Sequence, residues 1–170
     1  MQGAPEVGAA QFEQTGRIDW VSDLVEVPQK YGVSNVYADV GAVFANCCIS
    51  YPCLAAAMMG MLVKGLGADH VVWGTDSLWF GSPQWQIEAL RRLEIPEDMQ
   101  KKYGYPALGS PDGETKKAIF GLNSARLFGL DVSSTAAWRA DSVAGQRVAY
   151  FNSGQDRSNL AYGWVRKIDS

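Results

Sequence analysis

Residues 70–76 read HVVWGTD, a short apolar run that ends in an acidic side chain. The run is bounded by turn-forming residues and rich in β-branched and aromatic side chains, so it predicts a strand that is buried on both faces. Asp76 stands at the carboxyl end of this strand, directly before a loop rich in Gly, Ser, Pro and Trp. An acid at such a position serves either a turn or a reaction.

A second predicted strand lies upstream, at residues 33–40, VSNVYADV, between two glycines. Its β-branched and aromatic residues indicate a buried strand. Because side chains alternate along a strand, Asp39 shares a face with Tyr37 and lies near the strand's carboxyl end. Each of the two predicted strands therefore ends close to a carboxylate.

The connection between these strands predicts a helix. Ser50 and Pro52 are typical of a helix start, and residues 53–67, CLAAAMMGMLVKGLG, are helix formers on all sides until two glycines end the run. We therefore expect a largely buried helix. A strand, a helix and a strand joined by connections of this length favour a parallel, right-handed unit.

Further helices are predicted around this unit, each with recognisable end signals. The first is an amphipathic helix between Gly16 and Pro28, closed by Pro28 and Gly32. The second covers residues 84–93 and is capped by Ser82, and a short third helix covers residues 96–104. The fourth runs from Glu114 to Phe128, with Asp112 as its cap and Gly129 as its stop.

Composition narrows the class of protein. The chain has 170 residues, a formal net charge of −3 and no Lys or Arg run longer than a pair, so nucleic acid is not an expected partner. The longest apolar stretch, Cys53 to Val63, is much shorter than the roughly 20 residues that cross a bilayer. Residues 1–6 lack the features of a signal peptide, and we expect a cytoplasmic protein.

Three cysteines, Cys47, Cys48 and Cys53, lie within seven residues. An odd number so close together favours reduced thiols over a disulfide framework. A thiolate metal site is the alternative, but adjacent cysteines are poorly placed around one tetrahedral ion and no histidine lies nearby. We interpret all three as packing residues.

Asp39 and Asp76 are the main candidates for chemistry, because function in parallel α/β folds gathers at the carboxyl ends of strands. Two carboxylates at one mouth can bind a cation or divide acid and base roles. The alternative is structural: Asp76 accepts backbone N–H bonds in a turn, and Asp39 makes one buried hydrogen bond. Beside Asp76, the side chains of Trp79, Phe80 and Trp85 form either the wall of an aromatic substrate pocket or a helix-on-sheet contact.

Three blocks of the chain resemble a known family. They are residues 35–45, NVYADVGAVFA, residues 67–104, which contain VVWGTDSLWFGSPQW, and residues 116–130, KKAIFGLNSARLFGL. In this order they are similar to the carboxyl-terminal part of metal-dependent hydrolases of the amidohydrolase superfamily. The branch that they resemble also contains aromatic-acid and aminocarboxymuconate-semialdehyde decarboxylases.

The resemblance implies a (β/α)₈ TIM barrel with a divalent metal, often zinc, at its carboxyl mouth. Residues 70–76 would then be the eighth strand and residues 35–40 the seventh. Asp76 would be the closing aspartate, which binds the metal or takes a proton from its water. The implied function is hydrolysis or non-oxidative decarboxylation of a small carboxylated or aromatic compound.

The chain also departs from that family. Its single histidine, His70, begins the eighth strand and would lie at the opposite end from Asp76, so we interpret it as structural. No His-x-His pair is present, and 170 residues are fewer than the roughly 250 of a whole barrel. We therefore expect residues 1–130 to be the last strands and helices of a partial barrel, with residues 131–170 as a helical extension packed on it.

A partial barrel has open strand edges, which recruit other strands. We expect a homo-oligomer, or a complementing amino-terminal barrel portion that supplies the missing histidines. The alternative is a non-catalytic barrel fragment or assembly module.

Overall fold

The computed structural model describes residues 5–132 and 142–153. It is a mixed α/β structure in which helices predominate over one two-stranded parallel sheet. The helices are α1 (Pro5–Thr15), α2 (Asp19–Tyr31), α3 (Gly41–Cys47), α4 (Pro52–Leu66), α5 (Ser77–Phe80), α6 (Gln84–Arg92), α7 (Glu97–Tyr103), α8 (Glu114–Lys117), α9 (Asn123–Leu127) and a last helix, Ser142–Asn152. A 3₁₀ turn, Ala68–His70, and a π-helical segment, Ala118–Leu122, complete the described elements.

The sheet consists of β1 (Ala38–Asp39) and β2 (Val71–Val72), with Ala38 opposite Val71 and Asp39 opposite Val72. The predicted parallel strand–helix–strand order is confirmed. The predicted strand lengths, residues 33–40 and 70–76, are wrong. Ladder hydrogen bonds form only where two strands run side by side, and here they do so for two residue pairs.

Helix α4 forms the centre of the hydrophobic core. Every residue from Leu54 to Val63 is buried, which confirms the prediction of a helix that is apolar on all sides. Helices α1, α2 and α3 pack against it. The helix start predicted at Ser50 and Pro52 is confirmed at Pro52, which is the first residue of the helix, with Tyr51 as the N-cap residue.

Helix α2 runs through Pro28 and ends at Gly32, whose φ of 66° is left-handed. Gly32 was correctly predicted as the stop, whereas the prediction that Pro28 closes the helix is wrong. Pro28 lies in the last turn, so its ring removes a single N–H bond while its carbonyl still accepts the N–H groups of Gly32 and Val33.

The helix predicted from Glu114 to Phe128 is divided by the π-helical segment, although Gly129 ends it as predicted, with a φ of 65°. The predicted cap at Asp112 is also wrong. Gly113 is the N-cap residue, and the Asp112 carboxylate pairs with Arg91 at 3.1 Å. The Asp112 side chain, which local spacing predicted to be a cap, thus forms an ion pair with α6 instead.

The predicted carboxyl-terminal extension falls mostly outside the described residues. Within it, the helix Ser142–Asn152 is present, and its residues 145–152 are exposed. The packing of the extension on the domain stays a prediction. In the described part of the chain, no helix has the length and apolar character needed to span a membrane.

Candidate functional site

The carboxylates of Asp39 and Asp76 both contact the start of α3. Asp39 ends β1, and its Oδ1 accepts the N–H of Gly41 at 3.1 Å. Asp76 follows β2, and its Oδ2 accepts the N–H of Ala42 at 2.7 Å. Both side chains belong to exposed residues. Because unpaired N–H groups at a helix start favour negative charge, each of these two hydrogen bonds stabilises a carboxylate.

The backbone of Asp76 has an unusual conformation. With φ 46° and ψ 36°, it is left-handed, and no other non-glycine residue of the described chain has a positive φ. Its carbonyl accepts the N–H groups of Trp79 and Phe80 and so begins α5. Aspartate tolerates this conformation better than most residues do. The Asp76 side chain does not cap this turn, because its carboxylate accepts the N–H of Ala42 in α3 instead. A role in a reaction stays a prediction.

Two glycines make room for these carboxylates. A methyl group on Gly41 would lie 2.8 Å from Oδ2 of Asp76, and one on Gly74 would overlap Oδ1 of Asp39. The main-chain groups of residues 41 and 42 and the absence of a side chain at 74 belong to the site, but sequence reasoning did not assign them to it. The sequence signal that could have identified them is a glycine two residues from each aspartate, Gly41 after Asp39 and Gly74 before Asp76.

The described residues do not form a metal site by themselves. A catalytic zinc ion usually takes three protein ligands. Within residues 5–132 and 142–153, no three His, Cys, Asp or Glu side chains come together, so the two aspartates lack a third donor there.

His70 has a structural role, as predicted. Its Nδ1 lies 3.0 Å from Oδ1 of Asp69, its Nε2 lies 3.1 Å from the carbonyl oxygen of Ser34, and its ring stacks on Tyr37. The hydrogen bond with His70 lowers the pKa of Asp69. His70 immediately precedes β2 and Asp76 follows it, so the two residues lie beyond opposite ends of this strand.

Two of the three cysteines are packing residues. Cys47 and Cys48 are buried, and burial raises their pKa values to about 12 and about 11. Cys53 is exposed, so its assignment as a packing residue is wrong. It is the second residue of α4, and burial within that helix begins only at Leu54.

The three aromatic residues beside Asp76 have different surroundings. Trp79 is 81% exposed, Phe80 is half-buried, and Trp85 packs against the hydrophobic core. Trp85 thus makes the hydrophobic contact that was one of its two interpretations. The pocket wall stays a prediction. Another aromatic residue, Trp73, packs edge-on between Phe44 and Phe120, at centroid distances of 5.7 and 5.0 Å.

Two buried amides, which sequence reasoning did not identify, hold the chain on either side of β2. Asn123 Nδ2 donates to the carbonyl oxygens of Ala68 at 2.8 Å and Val71 at 2.7 Å. Gln86 Nε2 donates to the carbonyl oxygen of Thr75, the residue before Asp76, at 2.9 Å. Asn123 lies in residues 116–130, one of the three blocks that resemble the family, but that resemblance predicted no contact for its side chain.

Comparisons with protein-family models, curated proteins and solved structures find no match to this chain. The likeness to amidohydrolases therefore rests on the three blocks of sequence described above. Any function has to be argued from the two carboxylates and their surroundings.

Proposed function

We propose that this chain is the carboxyl-terminal portion of a (β/α)₈ barrel of the amidohydrolase type, and that Asp76 is the acidic residue it contributes to a hydrolase or decarboxylase site. The substrate class would be a small carboxylated or aromatic compound. One observation carries the proposal: Asp39 ends one of two adjacent parallel strands, Asp76 follows the other, and both carboxylates accept N–H groups at the start of α3.

The strained turn at Asp76 supports a role beyond packing. A left-handed conformation costs most non-glycine residues roughly 1–2 kcal/mol and aspartate less, and such conformations persist where the position of a side chain matters. The turn brings the Asp76 carboxylate, which follows β2, to the N–H of Ala42 in α3. The carboxylate is thus held in a fixed position on an exposed residue, as a ligand or proton acceptor must be.

The proposal requires a second polypeptide or a second copy of the chain. Two carboxylates are an incomplete donor set in the described residues, and β1 and β2 form a sheet of only two strands. Added strands would pair the open edges and bring further side chains to the same mouth.

Zinc uptake tests this proposal. Tag-free protein is dialysed against zinc and then buffer, and its zinc content is compared with its mass in solution. Because the exposed thiol of Cys53 can take up zinc by itself, all variants carry Cys53→Ser. We expect zinc in an oligomer, lost in Asp76→Asn and retained in Asp98→Asn, which makes the same change at an exposed residue of α7.

Asn is a matched replacement at position 76, because it also tolerates a positive φ and its side-chain oxygen can accept the N–H of Ala42. A monomer without zinc, or equal zinc uptake by Asp76→Asn and the parent, would refute a metal-centred role for this chain.

A non-catalytic assembly module is the second candidate, and the incomplete donor set favours it. It predicts an oligomer whose formation and zinc content do not depend on Asp76. The same experiment therefore separates the two candidates.

A further inference from the structure

Gln86 on α6 is a buried residue that contacts the main chain directly before Asp76. Its side chain is 0% exposed, and its Nε2 donates to the carbonyl oxygen of Thr75 at 2.9 Å. In the part of the chain that the structure describes, no other group donates to this carbonyl. The Thr75 carbonyl belongs to the planar peptide unit that leads into Asp76, so a hydrogen bond to it holds the plane from which the backbone of Asp76 turns.

The amide of Gln86 has only half of its hydrogen-bonding groups in use. The Thr75 carbonyl can only accept, so the amide must face it with Nε2 and cannot be turned around. This leaves Oε1 buried and without a donor within the described residues. An apolar side chain of the same shape would avoid that cost, so stability alone does not explain why an amide stands here. A half-satisfied buried amide calls for another role.

The residue after Thr75 carries a second irregularity. Asp76 has a left-handed backbone, with a φ of 46°, and its Oδ2 accepts the N–H of Ala42 at 2.7 Å. Rotation of the peptide unit between Thr75 and Asp76 would change this φ and move the carboxylate away from Ala42. The position of the carboxylate therefore depends on the peptide unit that Gln86 holds.

We propose that Gln86 is a positioning residue for Asp76: by holding the Thr75 carbonyl, it keeps the Asp76 carboxylate at the N–H of Ala42. The inference rests on the proposed function for its consequence in the site, because a displaced carboxylate is a poorer metal ligand or proton acceptor. The placement of the carboxylate is a property of the chain itself, and it can be measured without metal.

Amide exchange with water, measured by NMR on the full chain, tests the placement. The N–H of Ala42 lies in the first turn of α3, where helical N–H groups have no partner within the helix, so its protection reports the bond to Asp76. We expect Gln86→Met to speed its exchange about tenfold, towards the rate in Asp76→Gly, which keeps the positive φ but removes the carboxylate. Exchange at Phe44, whose N–H bonds to the carbonyl oxygen of Val40, should not change.

Gln100→Met is the matched control, because Nε2 of Gln100 also donates to a backbone carbonyl, that of Ile95, at 2.7 Å. It should leave the exchange of Ala42 at the rate of the parent protein. Gln86→Leu removes the same donor with a different shape and should reproduce the effect of Gln86→Met.

Three outcomes would overturn the proposal. The first is unchanged exchange at Ala42 in a folded Gln86 variant. The second is equal acceleration at Ala42 and Phe44, which would mean that α3 opens as a whole. The third is failure of both Gln86 variants to fold, since the amide would then be needed for stability itself.

Zinc uptake in the Cys53→Ser background separates this inference from the proposed function. If the parent takes up zinc, Gln86→Met should retain less zinc than Gln100→Met, and equal contents would overturn a role of Gln86 in the site. If no variant takes up zinc while exchange at Ala42 responds as expected, the proposed function fails and the positioning of the carboxylate by Gln86 stands.

Discussion

Asn123 and Gln86 illustrate how similar amide groups have different energetic roles. Both side chains are buried and both donate to backbone carbonyls around β2. Asn123 Nδ2 uses both of its N–H groups, to Ala68 and Val71. Gln86 Nε2 donates to Thr75, while its Oε1 has no hydrogen-bond partner among the described residues. The free energy that it costs to bury an acceptor without a partner cancels most of the free energy that the amide gains from its donated hydrogen bond.

We therefore predict that Asn123→Leu destabilises the protein far more than Gln86→Met. The leucine removes the hydrogen bonds that Asn123 donates to the buried carbonyls of Ala68 and Val71, at a cost of about 2–4 kcal/mol. The methionine removes one hydrogen bond but also the orphaned oxygen, so the change should stay within about 1 kcal/mol. Urea unfolding of the two variants measures the difference. Similar losses, or a larger loss for Gln86→Met, would contradict this account.

At the scale of elements, α4 and its neighbours approach closely because glycines lie at the contacts. A methyl group on Gly60 would lie 2.6 Å from Cδ2 and 2.7 Å from Cγ of Tyr105, near the rigid base of that side chain. A methyl group on Gly65 would lie 2.5 Å from Cβ of Val25 on α2. These glycines thus set how closely α4 packs on the chain around it.

We predict that Gly60→Ala lowers the free energy of unfolding by about 1–3 kcal/mol, although alanine favours helices, because the methyl group displaces the Tyr105 ring. The control is Gly145→Ala in the helix Ser142–Asn152, where nothing lies within 4 Å of the added methyl group. There alanine should be neutral or stabilising by up to about 1 kcal/mol. Thermal unfolding of both variants measures the effect, and a stabilising Gly60→Ala would show that α4 has room at this contact.

For the whole molecule, burial of ionisable groups makes stability depend on pH. Burial raises the pKa of Cys47 to about 12 and that of Cys48 to about 11, from an ordinary value of 9.0. The folded protein keeps these thiols neutral, while the unfolded chain ionises them above about pH 9. Their contribution to stability is therefore complete below about pH 8, where the unfolded chain also keeps them neutral, and is lost progressively up to about pH 12. Lys116 has the opposite sign, because burial lowers its pKa.

We predict that the free energy of unfolding falls between about pH 8 and pH 10.5, and that the fall is less steep in a Cys47→Ala, Cys48→Ala double variant. Urea titrations at several pH values measure both slopes. The double variant loses stability at every pH because its core is smaller, so only the slopes are compared. Equal slopes in the two proteins would show that the thiols do not cause the pH dependence.

Local signals predicted much of the fold. Helix α4 is apolar on all sides over more than two turns, and Gly32 and Gly129 end helices as expected because glycine adopts a positive φ at little cost. Features that depend on a distant partner were missed or misassigned. Asp112 pairs with Arg91 instead of capping a helix, and the continuous helical pattern around Asn123 gave no sign of the π-helical segment.

The sequence by itself determined that two strands, connected along the chain by a buried helix, run parallel and that each ends near an aspartate. Those properties follow from periodicity and chain direction, which are local. Only the tertiary structure decided that Asp39 and Asp76 both accept N–H groups at the start of α3, with Gly41 and Gly74 making room for them. The physical reason is that hydrogen bonds and close contacts between residues 34 positions apart in the chain, such as Ala42 and Asp76, depend on how the elements pack together.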